Sequence, residues 1–162
     1  MTTARSSYPL TLLYDASCPV CRLEMDELRH RNVQGRLAFV DISAPDFDLA
    51  QYWPASAQGD TSGPPTMQDM NAALHGIGPD GHVFTGVETI RLAYAAVGLG
   101  WLWAPTRWPL LRPMTDVAYR WFARHRYEIS SALGPLVSRI EQRRARARMA
   151  RMQRCHDGHC EM

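Results

Sequence analysis

The stretch Leu10-Thr11-Leu12-Leu13-Tyr14-Asp15-Ala16-Ser17-Cys18-Pro19-Val20-Cys21 decides the fold class of this chain. Its first five residues form a short apolar run, which predicts a buried strand. Ser17 is interpreted as a helix N-cap, and Pro19 suits the first helical turn, where its missing N–H leaves no hydrogen bond unmade. The two cysteines therefore lie where a strand passes into a helix.

The residues that follow predict a strand–helix–strand unit. Cys18, Cys21, Met25 and Leu28 recur at the spacing of one helical face. Gly35 ends the helix, and residues 37–42 form a second apolar run. A helix between two strands is typical of parallel pairing with a crossover connection.

The second half of the predicted domain is a hairpin followed by helices. Residues 73–77 and 82–85 flank a turn that contains Gly78, Pro79 and Gly81, which predicts a β-hairpin. A helix is expected from Gly86 to about residue 97, and further helices over 113–126 and 129–154. Between the two halves, a short helix is possible near 46–53, and residues 56–65 are expected to form an exposed loop.

Size and composition limit the classes of protein that this chain can be. A length of 162 residues is enough for one domain with its own core, so the four cysteines are not needed as structural staples. We see no apolar signal before the first strand, and the longest apolar stretch is interrupted by Pro105, Arg107 and Pro109. We therefore expect a cytoplasmic protein without a transmembrane segment, in which a C-x-x-C pair is catalytic or metal-binding.

The basic residues are concentrated near the C-terminus. The chain contains no lysine, and residues 139–154 hold seven arginines against one glutamate. No nucleic-acid-binding motif accompanies them, so we interpret the arginines first as a solvated helix face and predict no nucleic-acid partner.

The pattern Asp15-x-x-Cys18-x-x-Cys21 after an apolar strand resembles the signature of the DCC family of thiol-disulfide oxidoreductase-like proteins. Further segments at residues 39–42, 74–75, 80–86, 110–113 and 119–127 carry the same resemblance, which covers roughly residues 10 to 130. It implies an α/β, thioredoxin-like, three-layer fold with the order βαβ and then ββα. We expect this domain over 8–130 and a basic helical extension, with a Cys/His tail, over 131–162.

The dithiol is the predicted redox site. A helix N-terminus lowers the pKa of a cysteine through its free N–H groups and dipole, and the thiolate is the form that attacks disulfides. Cys18 is expected to be exposed and to attack a substrate disulfide, and Cys21, one turn inward, to resolve the mixed disulfide. The partners are then a protein or small-molecule disulfide and a thiol electron donor, with no cofactor. The direction of exchange and the oligomeric state stay open.

Asp15 belongs to the predicted site, but its role is open. It could take a proton from Cys21, or it could orient the loop by accepting hydrogen bonds from backbone N–H groups. A carboxylate beside Cys18 would oppose thiolate formation, so direct activation of the nucleophile is not expected. Glu24 is interpreted as a solvated helix position.

Thioredoxin-like enzymes place a cis-proline immediately before the strand that faces the dithiol. Pro65-Thr66 resembles this dipeptide, although the next clear strand begins near Ala73. Either that strand begins earlier, or the site uses the backbone of residues 70–72 in place of the proline.

A second cysteine pair lies in the tail sequence Cys155-His156-Asp157-Gly158-His159-Cys160. A disordered terminus is the first interpretation, an auxiliary redox pair the second, and a metal site that uses Cys155, His159 and Cys160 the third.

Two rival functions follow from the whole sequence. One is a non-catalytic module that binds proteins through the segment with Trp101, Trp103 and Trp108, and the other is a metal carrier.

Overall fold

The computed structural model describes residues 8–53, 58–59 and 64–156. The elements follow in the order β1 (Leu10–Tyr14), α1 (Pro19–Arg31), β2 (Leu37–Asp41), β3 (Gln58–Gly59), α2 (Met67–Ala72), β4 (His75–Ile77), β5 (His82–Thr85), α3 (Val87–Ala96), α4 (Gly100–Trp103) and α5 (Arg112–His156). Short 3-10 helices lie at Leu49–Gln51 and Ala104–Arg107. The strand–helix–strand unit and the hairpin are thus confirmed at nearly the predicted positions.

The five strands form one mixed sheet in the order β2-β1-β4-β5-β3. Strand β1 pairs parallel with β2 and antiparallel with β4, and β4 pairs antiparallel with β5. The central position of β1 explains its apolar sequence, because its side chains are covered on both faces of the sheet. This arrangement confirms a thioredoxin-like α/β fold.

The alternation of side chains along β1 divides the core into two parts. Leu10, Leu12 and Tyr14 pack with Met25 and Leu28 of α1 and with Ala93 and Ala96 of α3. Leu13 points to the other face, where it packs with Ile42, Met70 and Ile77. Helical layers on the two faces of one sheet give the predicted three-layer architecture.

Gly76 in β4 lies where α3 approaches the sheet. A Cβ atom at this position would lie 2.7 Å from Cγ2 of Thr89, a side chain that is completely buried. The close approach of α3 therefore requires glycine here.

Helix α5 is one continuous helix of 45 residues, where the sequence suggested two helices. Tyr127 and Glu128, which separate the two predicted segments, carry no helix-breaking signal, and Pro135 lies inside the helix without ending it. The predicted boundary between residues 130 and 131 falls within this helix, and a separate C-terminal unit stays a prediction. Within the described ranges, no helix is both long enough and apolar enough to cross a bilayer.

Candidate active site at the dithiol

The dithiol lies at the N-terminus of α1, as the sequence predicts, but the N-cap is Cys18 and not Ser17. The Sγ of Cys18 accepts a hydrogen bond from the backbone N–H of Cys21 at 3.4 Å, and Pro19 begins the helix. Ser17 instead donates its backbone N–H to Asp15 Oδ1 at 2.8 Å. The cysteine sulfur thus takes the place that a hydroxyl oxygen has in an ordinary N-cap.

The expected exposure of Cys18 is wrong. Its side chain has no solvent-accessible surface, whereas Cys21 is only partly buried. Helix α5 crosses over the start of α1 and places Ser130 Oγ 3.4 Å from Cys18 Sγ. The local sequence around the dithiol could not show this cover, because Ser130 lies 112 positions further along the chain.

The two thiols have opposite shifts in acidity. The largest cause that lowers the pKa of Cys18 is the hydrogen bond from the Cys21 thiol, while burial raises this pKa. The Ser130 hydroxyl, the Cys21 N–H and the charge of Arg126 lower it further. Together they bring the pKa of Cys18 to about 6. The pKa of Cys21 is raised, because its thiol donates to Cys18 and because it is buried. These opposite shifts make Cys18 the more acidic thiol of the pair.

Asp15 is buried and uses both carboxylate oxygens. Oδ1 accepts hydrogen bonds from the backbone N–H and the hydroxyl of Ser17, and Oδ2 accepts from Arg126 Nη2 at 2.9 Å and from the Tyr127 hydroxyl. Burial alone would raise the pKa of Asp15, but the hydrogen bonds from Ser17 and Tyr127 and the charge of Arg126 hold it below its ordinary value. Asp15 thus carries a negative charge that connects the loop before α1 with α5.

Arg126 is the partner that the sequence did not reveal. Its side chain is 8% exposed, and its Nη2 donates to Asp15, Asn71 Oδ1 and the Tyr127 hydroxyl. Its Nε is buried without a hydrogen-bond partner among the described residues. The arginine belongs to the 119–127 segment that carried the family resemblance, but no local pattern sets it apart from the other arginines of this helix.

A cavity of about 400 Å³ opens beside the dithiol, on the side of Cys21. Asp15 and Arg126 also line it, and most of the remaining wall is formed by aliphatic side chains together with five aromatic ones. Glu24 lines the same cavity and accepts a hydrogen bond from the Tyr94 hydroxyl, so its interpretation as a solvated helix position is wrong. The distant Tyr94 gives this carboxylate a partner inside the fold.

The segment that precedes β4 contains no proline. Ala73 and Leu74 separate α2 from β4, while Pro65 lies before Thr66, the N-cap of α2, and the cis peptide bond of the described residues is Tyr8–Pro9. The first alternative is wrong, because the strand does not begin earlier. The second is correct in that the proline is absent, but residues 70–72 are helical and the extended segment before β4 is 73–74. Leu74 donates its N–H to the Tyr119 hydroxyl of α5 at 2.7 Å.

The C-terminal Cys/His cluster cannot be placed. Residues 157–162, with His159 and Cys160, lie outside the described residues, and so does the side chain of Cys155. In the part of the chain that the structure describes, no three His, Cys, Asp or Glu side chains are grouped closely enough to hold a metal ion. Cys18 and Cys21 are both free thiols.

Comparison with known proteins gives two matches. A chloroplastic protein of Arabidopsis thaliana, itself uncharacterized, is 34% identical over 125 residues, which cover 76% of this chain and 54% of the relative. The chain thus spans about half the length of this curated relative. No solved structure matches the chain significantly.

The second match covers the dithiol, the sheet and the part of α5 that contacts them. The sequence profile of DCC1-like thiol-disulfide oxidoreductases matches residues 12–132, which include Asp15, both cysteines, Arg126 and Ser130. The chain belongs to the DCC1-like thiol-disulfide oxidoreductase family.

Proposed function

We propose that this protein catalyses thiol-disulfide exchange, with Cys18 as the attacking thiolate and Cys21 as the resolving thiol. The observation that carries the proposal is the position of Cys18 Sγ, which accepts the Cys21 N–H at the helix start and has a pKa of about 6. A thiol with this pKa is mostly ionised at neutral pH, while an ordinary cysteine is mostly protonated.

The exchange has two steps. The Cys18 thiolate attacks one sulfur of a substrate disulfide, which forms a mixed disulfide and releases one substrate thiolate. Cys21 then attacks Cys18, which forms the Cys18–Cys21 disulfide and releases the second substrate thiolate. The proton of Cys21 passes to a released thiolate, and a second thiol compound returns the pair to its reduced form. A reducing cytoplasm would supply such thiols.

Asp15 is proposed to act through Arg126. A carboxylate beside a thiol raises its pKa, and Asp15 has this effect on Cys21. The guanidinium of Arg126 has the opposite effect on both cysteines, and Asp15 fixes that guanidinium at 2.9 Å. Asp15 is thus a positioning residue, which explains how an acidic residue serves a site that needs a thiolate.

The test is the redox couple of the pair. Reduced protein should form a Cys18–Cys21 disulfide with a reduction potential between about −300 and −100 mV, the range of known dithiol proteins. Cys18→Ser should abolish disulfide reduction, and Cys21→Ser should accumulate a mixed disulfide on Cys18. A matched control, Cys155→Ser with Cys160→Ser, should keep the activity. An unreactive Cys18, with no redox couple in this range, would contradict the proposal.

A second candidate function is protein binding through an exposed apolar surface. Trp101 is 70% exposed, Trp108 66% and Trp121 58%. Exposed aromatic side chains are typical of contact sites for other proteins. Trp103 does not belong to this surface, because it packs against Tyr94 and lines the cavity. Binding that survives Cys18→Ser with Cys21→Ser and is lost with Trp108→Glu would support this candidate.

A further inference from the structure

The cavity at the dithiol has the shape and chemistry of a site for a small molecule. It measures about 400 Å³, and its walls include the rings of Tyr94, Trp103, Tyr119 and Phe122. It reaches Cys21, whose backbone N–H contacts Cys18 Sγ. Cys18 has no accessible surface and does not line the cavity, so a reactant in the cavity meets Cys21 first and reaches Cys18 when the start of α1 shifts toward the cavity.

The backbone groups of Ala73 and Leu74, which line the cavity with Cys21, are all taken up by internal hydrogen bonds. Ala73 donates its N–H to Asp69, and its carbonyl oxygen is 2.9 Å from His75 Nδ1. Leu74 donates its N–H to Tyr119, and its carbonyl accepts the Gly86 N–H. A polypeptide that pairs with a protein edge needs such donors and acceptors. Here each of them already takes part in an internal hydrogen bond.

The charges around the cavity disfavour anions. The carboxylate of Asp15 is balanced by the guanidinium of Arg126, and Glu24 adds a second carboxylate to the lining, with the Tyr94 hydroxyl as its partner. A ligand with carboxylates of its own would meet like charge in a largely apolar space. The apolar lining, which combines aliphatic side chains with aromatic rings, favours an uncharged ligand that presents an aromatic ring to those rings.

We propose that the cavity binds a small, neutral, aromatic disulfide as the substrate of the Cys18–Cys21 pair. This inference rests on the proposed exchange function and names its substrate class. With a disulfide R–S–S–R bound, and with Cys18 brought to the cavity by a shift of the start of α1, the Cys18 thiolate attacks one sulfur and releases RS⁻. Cys21 then attacks Cys18 and releases the second RS⁻. Two electrons pass from the pair to the substrate, and the Cys21 proton protonates one of the two thiolates.

The experiment uses 4,4′-dithiodipyridine as the substrate and oxidised glutathione and insulin as anionic and polypeptide comparisons. All proteins carry Cys155→Ser and Cys160→Ser, so that Cys18 and Cys21 are the only thiols that can react. Ala118→Trp narrows the cavity, because Ala118 lines it from an exposed position on α5. Ala132→Trp is the control, an exposed alanine of the same helix that does not line the cavity.

We expect saturable reduction of dithiodipyridine, with a KM that rises at least about tenfold in Ala118→Trp and is unchanged in Ala132→Trp. The non-reactive isostere 1,2-di(4-pyridyl)ethane should inhibit competitively. Equal rates with insulin, or a rate that neither Ala118→Trp nor the isostere changes, would overturn the substrate assignment while the exchange function stands. Failure to form the Cys18–Cys21 disulfide with any of the three disulfides would instead remove the exchange function.

Discussion

Removal of the Ser130 hydroxyl should make Cys18 a weaker acid. Ser130 is 2% exposed, and its Oγ lies 3.4 Å from Cys18 Sγ, so that its hydroxyl donates to the sulfur when Cys18 is a thiolate. Ser130→Ala removes this donor without adding bulk. Ser131→Ala is the matched control, because Ser131 is exposed and its hydroxyl donates to the carbonyl of Glu128.

The size of the effect follows from the contact. A hydrogen bond to a charged group contributes about 1.5–3 kcal/mol, and a long bond to sulfur belongs at the low end. About 1.4 kcal/mol corresponds to one pKa unit. We therefore expect the pKa of Cys18 to rise from about 6 to about 7 in Ser130→Ala. The pKa of Cys18 is measured directly from the ultraviolet absorbance of its thiolate. The absorbance is followed against pH in protein that carries Cys155→Ser and Cys160→Ser.

The same substitution should change stability only in one pH range. The pKa of Cys18 is lower in the folded protein than the ordinary value of 9.0, so the folded state binds fewer protons between about pH 6 and pH 9. The stabilisation by the thiolate is complete above about pH 9 and is lost as the pH falls through about 6. Ser130→Ala should therefore lose about 1.4 kcal/mol of this stabilisation above pH 9, and none of it well below pH 6.

Chemical denaturation of the reduced protein at several pH values tests this linkage. A pKa of Cys18 that stays near 6 in Ser130→Ala, or that rises equally in Ser131→Ala, would refute the assignment of Ser130 as a thiolate donor.

Three further predictions concern Arg126, Asp15 and Gly76. Arg126→Met should raise the pKa of Cys18, measured by thiolate absorbance, whereas Arg124→Met, which changes an exposed arginine of the same helix, should not. Asp15→Asn should also raise the pKa of Cys18, because the buried guanidinium of Arg126 loses its counterion and turns away from the dithiol. A fall in this pKa would show that Asp15 acts directly as a negative charge and not through Arg126. Gly76→Ala should lower the free energy of unfolding by about 1–3 kcal/mol in denaturant titrations, because its Cβ would clash with Thr89; unchanged stability would contradict the tight packing of α3 on β4.

Strands β1, β2, β4 and β5 and helix α1 were predictable because their signals are local. Strand β3, which lies in the expected loop 56–65, and helix α2 were not predicted. The apolar run of β1 and the turn at Gly78–Gly81 define elements from neighbouring residues alone. The position of the dithiol at a strand-to-helix junction followed in the same way. Only the choice of N-cap was wrong, because Asp15 binds the Ser17 N–H and hydroxyl and leaves the cap position to Cys18.

The surroundings of the dithiol were not predictable, because they come from the other end of the chain. Ser130 lies 112 positions after Cys18, and Arg126 lies 111 positions after Asp15. A periodic pattern shows that α5 is a helix, but it does not show which part of the fold α5 covers. The exposure of Cys18 was therefore wrong, although its assignment to a helix N-terminus was correct.

Helix α5 controls the acidity of the dithiol and the access to it at the same time. Ser130 and Arg126 lower the pKa of Cys18, and the same stretch of helix closes Cys18 to solvent. One turn before Arg126, Phe122 forms part of the cavity wall, and two turns before it the Tyr119 hydroxyl accepts the Leu74 N–H. A shift of α5 would expose Cys18 and remove the Ser130 hydrogen bond and the Arg126 charge, while the Cys21 thiol and N–H, on α1, would still stabilise the thiolate. Cys18 would therefore gain access to a substrate and lose only part of its acidity, because the largest cause of its low pKa does not come from α5.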